Sequence, residues 1–426
     1  MKRGSEKWVY LSLVCVVIAL TLFPRDTRAE TPLALDIAVA EALAKNPELQ
    51  MLEQRVQSAA ARASQAPYLE DPEIAIQTWG APLSNPTAFD RADSNMIGIR
   101  QKFPFFGKLG LKEKIAMAET QMAVQEFHAK RREIIAGVKI VYAELFMAQR
   151  SIEIYREQLE IMRSIIRASE ARYQVGRVAQ QDVFRAQLEQ SEIMNRLILA
   201  EEEAKSSQFK LNALLNRPPE TPSQLPSDIA LPGLTSRLVN LQDSALTQRA
   251  ELKGAELEIE RAQKSYELAE RNRKYPDFML GWDYARMPNE MDKNRYQAMI
   301  NVTIPIAPWT SGRRRYEVEE TLAEIRLARA KKETVRLMVQ REIGEAFAKA
   351  EAFKRSVELY KEGLLTQAEL SFRTALAAYQ TGRAEFVSLL EARRTLREAQ
   401  MGYYRSLVGL LQNVAELERA VGRELD

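Results

Sequence analysis

The residues able to do chemistry in this chain are few, and their types exclude most reactions. There is one histidine, His128, within Phe127-His128-Ala129-Lys130. A Ser/His/Asp relay would have to use that imidazole, and no nucleophile motif surrounds it. Its charge-rich helical setting reads as a helix surface. The only cysteine, Cys15, lies in an apolar run near the start. The mature chain is therefore expected to lack disulfides, thiolate metal sites and cysteine nucleophiles. Paired carboxylates are abundant among 58 Asp and Glu, but they sit in helical stretches with no pocket implied. Gly-x-Gly-x-x-Gly and Walker patterns are absent, so nucleotide hydrolysis would belong to a partner. Met279, Met287, Met291 and Met299 cluster around one segment. Thioethers suit soft ions such as Cu(I), but Met more often fills barrel and core positions. The expectation is a protein that is not an enzyme and needs no cofactor or metal.

The strongest signal is conformational. Tyr173-Gln174-Val175-Gly176-Arg177 and Tyr379-Gln380-Thr381-Gly382-Arg383 differ at one position and lie 206 residues apart. Each interrupts a long helical pattern, and another helix follows each. Gly176 and Gly382 are the residues that reach φ > 0 where two helices reverse. One Tyr-x-x-Gly could close any helical hairpin, whereas two near-copies at matching places indicate internal duplication.

The elements around these turns repeat as well. Leu35 to Ala66 reads as a helix with a break near Asn46-Pro47. From Asp71 the period becomes two. Glu73 to Trp79 and Met96 to Phe103 form one hairpin, with Ile74, Ile76 and Thr78 on one face. In the second, Phe278, Leu280, Trp282 and Tyr284 alternate with Asp277, Met279, Gly281 and Asp283. Across its loop Ala298, Ile300, Val302 and Ile304 alternate with polar neighbours. A lone two-stranded hairpin is barely stable, so the hairpins are expected to pair with other subunits. Apolar-out, polar-in strands with aromatic residues are what a membrane barrel needs.

Gly107 and Gly312 then open helices expected over 108–173 and 312–379, each ~100 Å long at about 1.5 Å per residue. Return helices are expected from Ala179 to Asn216 and from Ala384 to Val421, with the Pro-rich stretch 217–241 as a linker or belt between the halves. The domain reading is a signal at 1–29, a first repeat at 30–216, the linker at 217–241 and a second repeat at 242–426. In the signal, Lys2, Arg3 and Lys7 precede the apolar run Trp8 to Phe23, and Thr27-Arg28-Ala29 offers a cleavage site. That segment carries five basic and two acidic residues, so the rest of the chain is neutral. Charge gives a nucleic-acid partner no support.

Over essentially the whole mature chain these features resemble the TolC family of outer-membrane efflux ducts. The evidence is the double Tyr-x-x-Gly tip, the hairpins before Phe103-Pro104 and Ile304-Pro305, and the Pro-rich midpoint. The paired endings Leu211 to Leu215 and Leu417 to Val421, again 206 apart, agree with it. The resemblance implies a mainly α fold with a membrane β-barrel contribution, from a duplicated helix, β-hairpin and long helical hairpin unit. It implies a homotrimer with a twelve-stranded barrel in outer-membrane lipid and an α-helical tunnel crossing the periplasm. The partners implied are a periplasmic adaptor protein and an inner-membrane pump of RND or ABC type. The function implied is a passive exit duct for metal ions, drugs or proteins; the Phe103-to-Lys108 turn resembles that of heavy-metal efflux members. A periplasmic adaptor or a coiled-coil envelope protein is the alternative, although an adaptor would carry one helical hairpin between lipoyl-like β segments, not two.

The resemblance also assigns residues. A gate Asp falls on Asp182 and a gate Tyr on Tyr379. The family's gate Arg falls on Ala384, with Arg383 one position earlier. Of two inward carboxylate positions, Ser388 and Glu391, only Glu391 can form a pore ring. The adaptor-facing tips are Val175, Gly176 and Arg177 with Thr381, Gly382 and Arg383.

Overall fold

The computed structural model describes residues 32–81, 89–176, 178–226, 228–287, 294–305 and 307–425; the expected signal, Arg177 and Met291 lie outside them. In chain order the elements are α1 (Leu35–Lys45), α2 (Pro47–Gln65), β1 (Glu73–Trp79), β2 (Ser94–Phe103), α3 (Lys108–Gln174) and α4 (Gln180–Leu214). The second half repeats them: α5 (Leu238–Gln248), α6 (Ala250–Lys274), β3 (Phe278–Arg286), β4 (Arg295–Val302), α7 (Pro308–Leu359), a π-helical turn (Tyr360–Leu364), α8 (Leu365–Gln380) and α9 (Phe386–Val421).

The break between α1 and α2 follows from Pro47. A proline disfavours the helical region for the residue before it and suits the first helical position. Asn46 is accordingly extended (φ −66°, ψ 123°), and its side chain accepts from the Glu48 N–H at 2.9 Å. The second half makes the same break without proline. Arg249 takes φ −63° and ψ 122°. Its buried guanidinium donates to Glu251 (2.8 Å), the Arg419 carbonyl (2.7 Å) and Glu342 (3.0 Å). One backbone geometry is held by local stereochemistry in one half and by an ion-pair network in the other.

The hairpins do not wait for another subunit. They pair with each other through β2 and β3, in register from Asn95↔Arg286 to Phe103↔Phe278, giving one antiparallel sheet ordered β1-β2-β3-β4. Among the described residues, the outer edges of β1 and β4 are left without a partner strand. Ile74, Ile76, Ile97, Ile99, Trp282 and Ile300 share one face, set by the pairs Ile74↔Ile99, Ile76↔Ile97 and Ile99↔Trp282. That face is uncovered, with Ile76 76% and Trp282 60% exposed. The opposite face carries Arg100 beside the buried Asp283, 4.0 Å apart.

Three helix boundaries differ from expectation. Helix α7 starts at Pro308, before Gly312, because proline suits the first helical position. The long helix of the second half is interrupted by the π turn. There the Tyr360 ring lies against Gly402, where a Cβ would sit 2.3 Å from the tyrosine hydroxyl. The expected linker is also shorter, since α5 begins at Leu238. The non-helical stretch before α5 is tied down as a belt. Asn212 donates to the Pro219 and Thr221 carbonyls (both 2.8 Å), Gln149 to Ser223 (3.0 Å), and the Leu33 N–H to Gln224 (2.8 Å).

The helices lie side by side in a layer in which α3 runs along α2 and α6 near the sheet, and along α4 and α9 toward the tips. The tip half is held by a core including Leu159, Met162, Ile193, Phe372, Leu389 and Leu396. A second core beneath the belt joins Leu49, Tyr142, Phe146, Leu211, Leu225 and Leu407. Among the described residues no helix is long and apolar enough to cross a membrane.

Candidate functional site

The tip end gathers the residues singled out by sequence. Helix α3 stops at Gln174, Gly176 takes φ +73°, and its N–H reaches the Tyr173 carbonyl at 2.9 Å. Helix α8 stops at Gln380, and Gly382 also takes φ +73°. The Arg383 N–H returns to Ala378 at 2.9 Å, and the Gly382 N–H to Tyr379 at 3.1 Å. These bonds satisfy carbonyls that a helix end leaves open. Thr381 Oγ1 adds bonds to the Ala377 and Ala378 carbonyls, both at 3.1 Å. Apart from each glycine and its chain neighbours, no described atom lies within 4 Å of a Cβ added there, so a substitution meets backbone strain and no crowding from the described surroundings.

Tyr379 is the best-held residue of the group, at 5% exposure. Its hydroxyl is 3.3 Å from the buried Ser169 Oγ. Its ring lies between Phe386, with centroids 5.7 Å apart, and the Arg172 guanidinium, 4.6 Å from the centroid. Arg172 also donates to the Tyr379 and Gln380 carbonyls, each at 2.9 Å. A cation is favoured against the carbonyl end of a helix. Sequence reasoning missed Arg172 and Ser169, although Arg172 stands beside the tip motif.

Among the described residues Tyr379 and Asp182 share no hydrogen bond within one chain. Asp182 is half-buried in the first turn of α4. Arg383 and Glu391 are exposed. None of these three makes a side-chain hydrogen bond or ion pair among the described residues.

Further up, the return helices α4 and α9 are joined by a cluster that sequence reasoning also missed. Glu189, 3% exposed, accepts from Arg397 Nη1 and Arg394 Nε, both at 2.8 Å, and from Arg394 Nη2. Burial alone would raise the Glu189 carboxyl, but the two arginines outweigh it and hold it below the usual carboxylate range. At the sheet end, Lys108 opens α3 and bonds Asp277 at 2.8 Å and the Tyr275 carbonyl at 3.0 Å, fixing the first long helix to the foot of β3. Among the described residues no group of three or more His, Cys, Asp or Glu could hold a metal ion.

This arrangement of two tips, two long helical hairpins and one open sheet can be set against known proteins. The family model described as outer membrane efflux protein matches residues 38–217 and 241–423, both repeats and nearly the whole described chain. The chain belongs to the outer membrane efflux protein family. That membership makes it a duct of the outer membrane and sets aside the adaptor and coiled-coil alternatives. Among relatives of this efflux protein is the cobalt-zinc-cadmium resistance protein CzcC of Cupriavidus metallidurans. It is 23% identical over 403 residues, covering 94% of this chain and 92% of the relative. The CmeC outer membrane channel of Campylobacter jejuni superposes with a TM-score of 0.78 at 15% identity, covering 91% of this chain and 85% of that one. The outer membrane protein VceC of Vibrio cholerae gives 0.75 at 20% identity, over 92% and 97%. At these identities the structures speak for the shared fold.

Proposed function

We propose that three copies of this efflux protein join edge to edge, β1 of one beside β4 of the next. They close a twelve-stranded barrel in the outer membrane over a helical tunnel. The open sheet carries this reading: among the described residues it has four strands with both edges unpaired and one exposed apolar face. Unpaired strand groups are not tolerated in hydrocarbon, and closure by neighbours satisfies them. Heat-resistant trimers in purified outer membranes are the expected result, and a soluble monomeric mature protein would end the idea.

In this reading the duct is the passive member of a tripartite system. The tips formed by Val175, Gly176, Arg177, Thr381, Gly382 and Arg383 meet a periplasmic adaptor, behind which stands an inner-membrane pump of the RND or ABC type. Asp182, Tyr379 and Arg383 form the gate, and Glu391 a ring of three carboxylates inside it. The cargo is divalent metal cations, an assignment supported by the relative CzcC and by the Phe103-to-Lys108 turn. Deleting the gene should sensitise cells to cobalt, zinc or cadmium more than to drugs. A drug-only phenotype would overturn the cargo and leave the duct standing.

A further inference from the structure

A cavity of about 420 Å³ lies at the foot of the sheet, where the end of β2 meets the starts of α3 and α7 and the end of α6. Lys102, Lys108, Lys112, Arg313 and Arg314 line it, against Glu70, Asp277 and Glu317. All three carboxylates are already committed: Glu70 to Lys102 at 3.3 Å, Asp277 to Lys108 at 2.8 Å and Glu317 to Arg313 at 3.0 Å. Two cations remain. Arg314 is half-buried and donates through Nη1 to the Asn272 carbonyl, which carries no charge, and Lys112 is exposed. Neither makes an ion pair among the described residues. The cavity thus holds two positive charges that no carboxylate of its lining matches.

Strand register fixes the side on which this charge gathers. Side chains alternate between the two faces of a strand. Ile99 and Trp282 lie on the exposed apolar face, so Lys102 and Asp277, at odd offsets from them, belong to the other. The Thr303 N–H extends the ladder to the Asp277 carbonyl at 2.9 Å, and Thr303 lines the same cavity. The unmatched charge is therefore on the polar side, with Arg100 and Asp283, away from the face that lipid would cover. The volume falls within the ~300–1,000 Å³ typical of small-ligand sites.

We infer that this cavity binds a doubly charged oxyanion, of the sulfate or hydrogen phosphate class, held by the guanidinium of Arg314 and the ammonium of Lys112. A guanidinium offers paired N–H groups matched to two oxygens of such an ion, and an ammonium adds a point charge. One dianion cancels both unmatched charges, whereas chloride or a single carboxylate cancels one. The phosphate of a lipid headgroup has the same chemistry, but it would approach from the apolar face. The site is complete within one chain. On the duct reading above, three such sites form a positive collar where the barrel meets the tunnel, opposite in sign to the proposed Glu391 ring. The collar attracts counter-anions and not the metal cargo. Only that placement rests on the duct reading.

The test is calorimetric titration of the full-length mature protein, in non-ionic detergent at low salt, with sodium sulfate. Saturable binding of one sulfate per chain is expected, at least tenfold tighter than that of chloride at equal ionic strength. Lys112→Gln and Arg314→Gln should each weaken sulfate binding at least tenfold, and Lys112→Arg should keep it. Lys112 is exposed, so Lys112→Gln keeps the result readable if the Arg314 variant misassembles. Absence of saturable sulfate binding, or native affinity in Lys112→Gln, would overturn the site. Phosphatidate mixed into the micelles should weaken sulfate binding no more than an equal charge of laurate does. A larger loss would put a lipid headgroup in the cavity and overturn the free-ion assignment. Because one folded chain suffices, failure here leaves the duct standing, and failure to find trimers leaves the site standing.

Discussion

The guanidinium of Arg172, at the end of α3, donates to the carbonyl of Tyr379, at the end of α8, at 2.9 Å and lies 4.6 Å from its ring centroid. The two tip turns are thus tied together inside one chain, and the tyrosine side chain is buried before any neighbouring copy is added. Hydrogen bonds to charged groups contribute ~1.5–3 kcal/mol each. Arg172 makes two of them, so Arg172→Ala should free the second tip and raise the open population of a closed tunnel. Single-channel recording in planar bilayers should show larger or more frequent openings than the parent; unchanged traces would mean that the two tips move as one body during opening.

The tip glycines should matter for coupling and not for assembly. Both take φ +73° with open space around the missing Cβ. A β-branched residue at such a φ costs ~1–3 kcal/mol of backbone strain, which reshapes the turn without touching the sheet. Gly176→Val and Gly382→Val should abolish efflux while heat-resistant trimers remain. Normal efflux in both would remove the tips from the adaptor interface.

Much of this was legible in the sequence, and the misses share one physical origin. Gly176, Gly382, Pro47 and the period-two strands announce themselves because local stereochemistry or alternation fixes them. The break at Arg249 does not, because nothing in its neighbours forbids a helix there and only contacts with Glu342 and Arg419 decide it. The pairing of β2 with β3 was hidden for the same reason, being a contact between segments some 180 residues apart in register pairs such as Ile97↔Tyr284. Tyr379 shows the limit most clearly: its motif makes it legible, whereas its partners Ser169 and Arg172 lie 210 and 207 residues away in sequence.

Glu189 should make the tip half of the tunnel acid-sensitive. Its folded carboxyl is held below the usual range by Arg394 and Arg397. A depressed carboxyl contributes stability above its unfolded pKa of ~4.3, and that contribution disappears as pH falls through the lower folded value. Glu189→Gln leaves two arginines without their anion, and breaking a buried pair costs ~3–5 kcal/mol. Thermal unfolding followed by circular dichroism should show the variant less stable at neutral pH, with the gap closing toward pH 3. A gap constant from pH 7 to pH 3 would mean that the cluster acts through packing alone.

The proposed carboxylate ring gives the last prediction. Glu391 is exposed on α9 and makes no side-chain hydrogen bond or ion pair among the described residues, although it lies near enough to Arg394 to stabilise that guanidinium. An unpaired anion repeated by threefold symmetry concentrates negative potential in a narrow lumen, and rings of Asp or Glu favour cations. Arg394 is already committed to Glu189, so little of the Glu391 charge is neutralised locally. Glu391→Gln should therefore shift the reversal potential in a potassium chloride gradient toward the non-selective value, and should weaken block by added divalent cations at least tenfold. Both effects should shrink at high salt, where screening shortens the reach of each charge to ~3 Å at 1 M. If selectivity and divalent block are unchanged by the substitution, Glu391 lies on a solvated face away from the pore, and the charge filter must be sought at Asp182 instead.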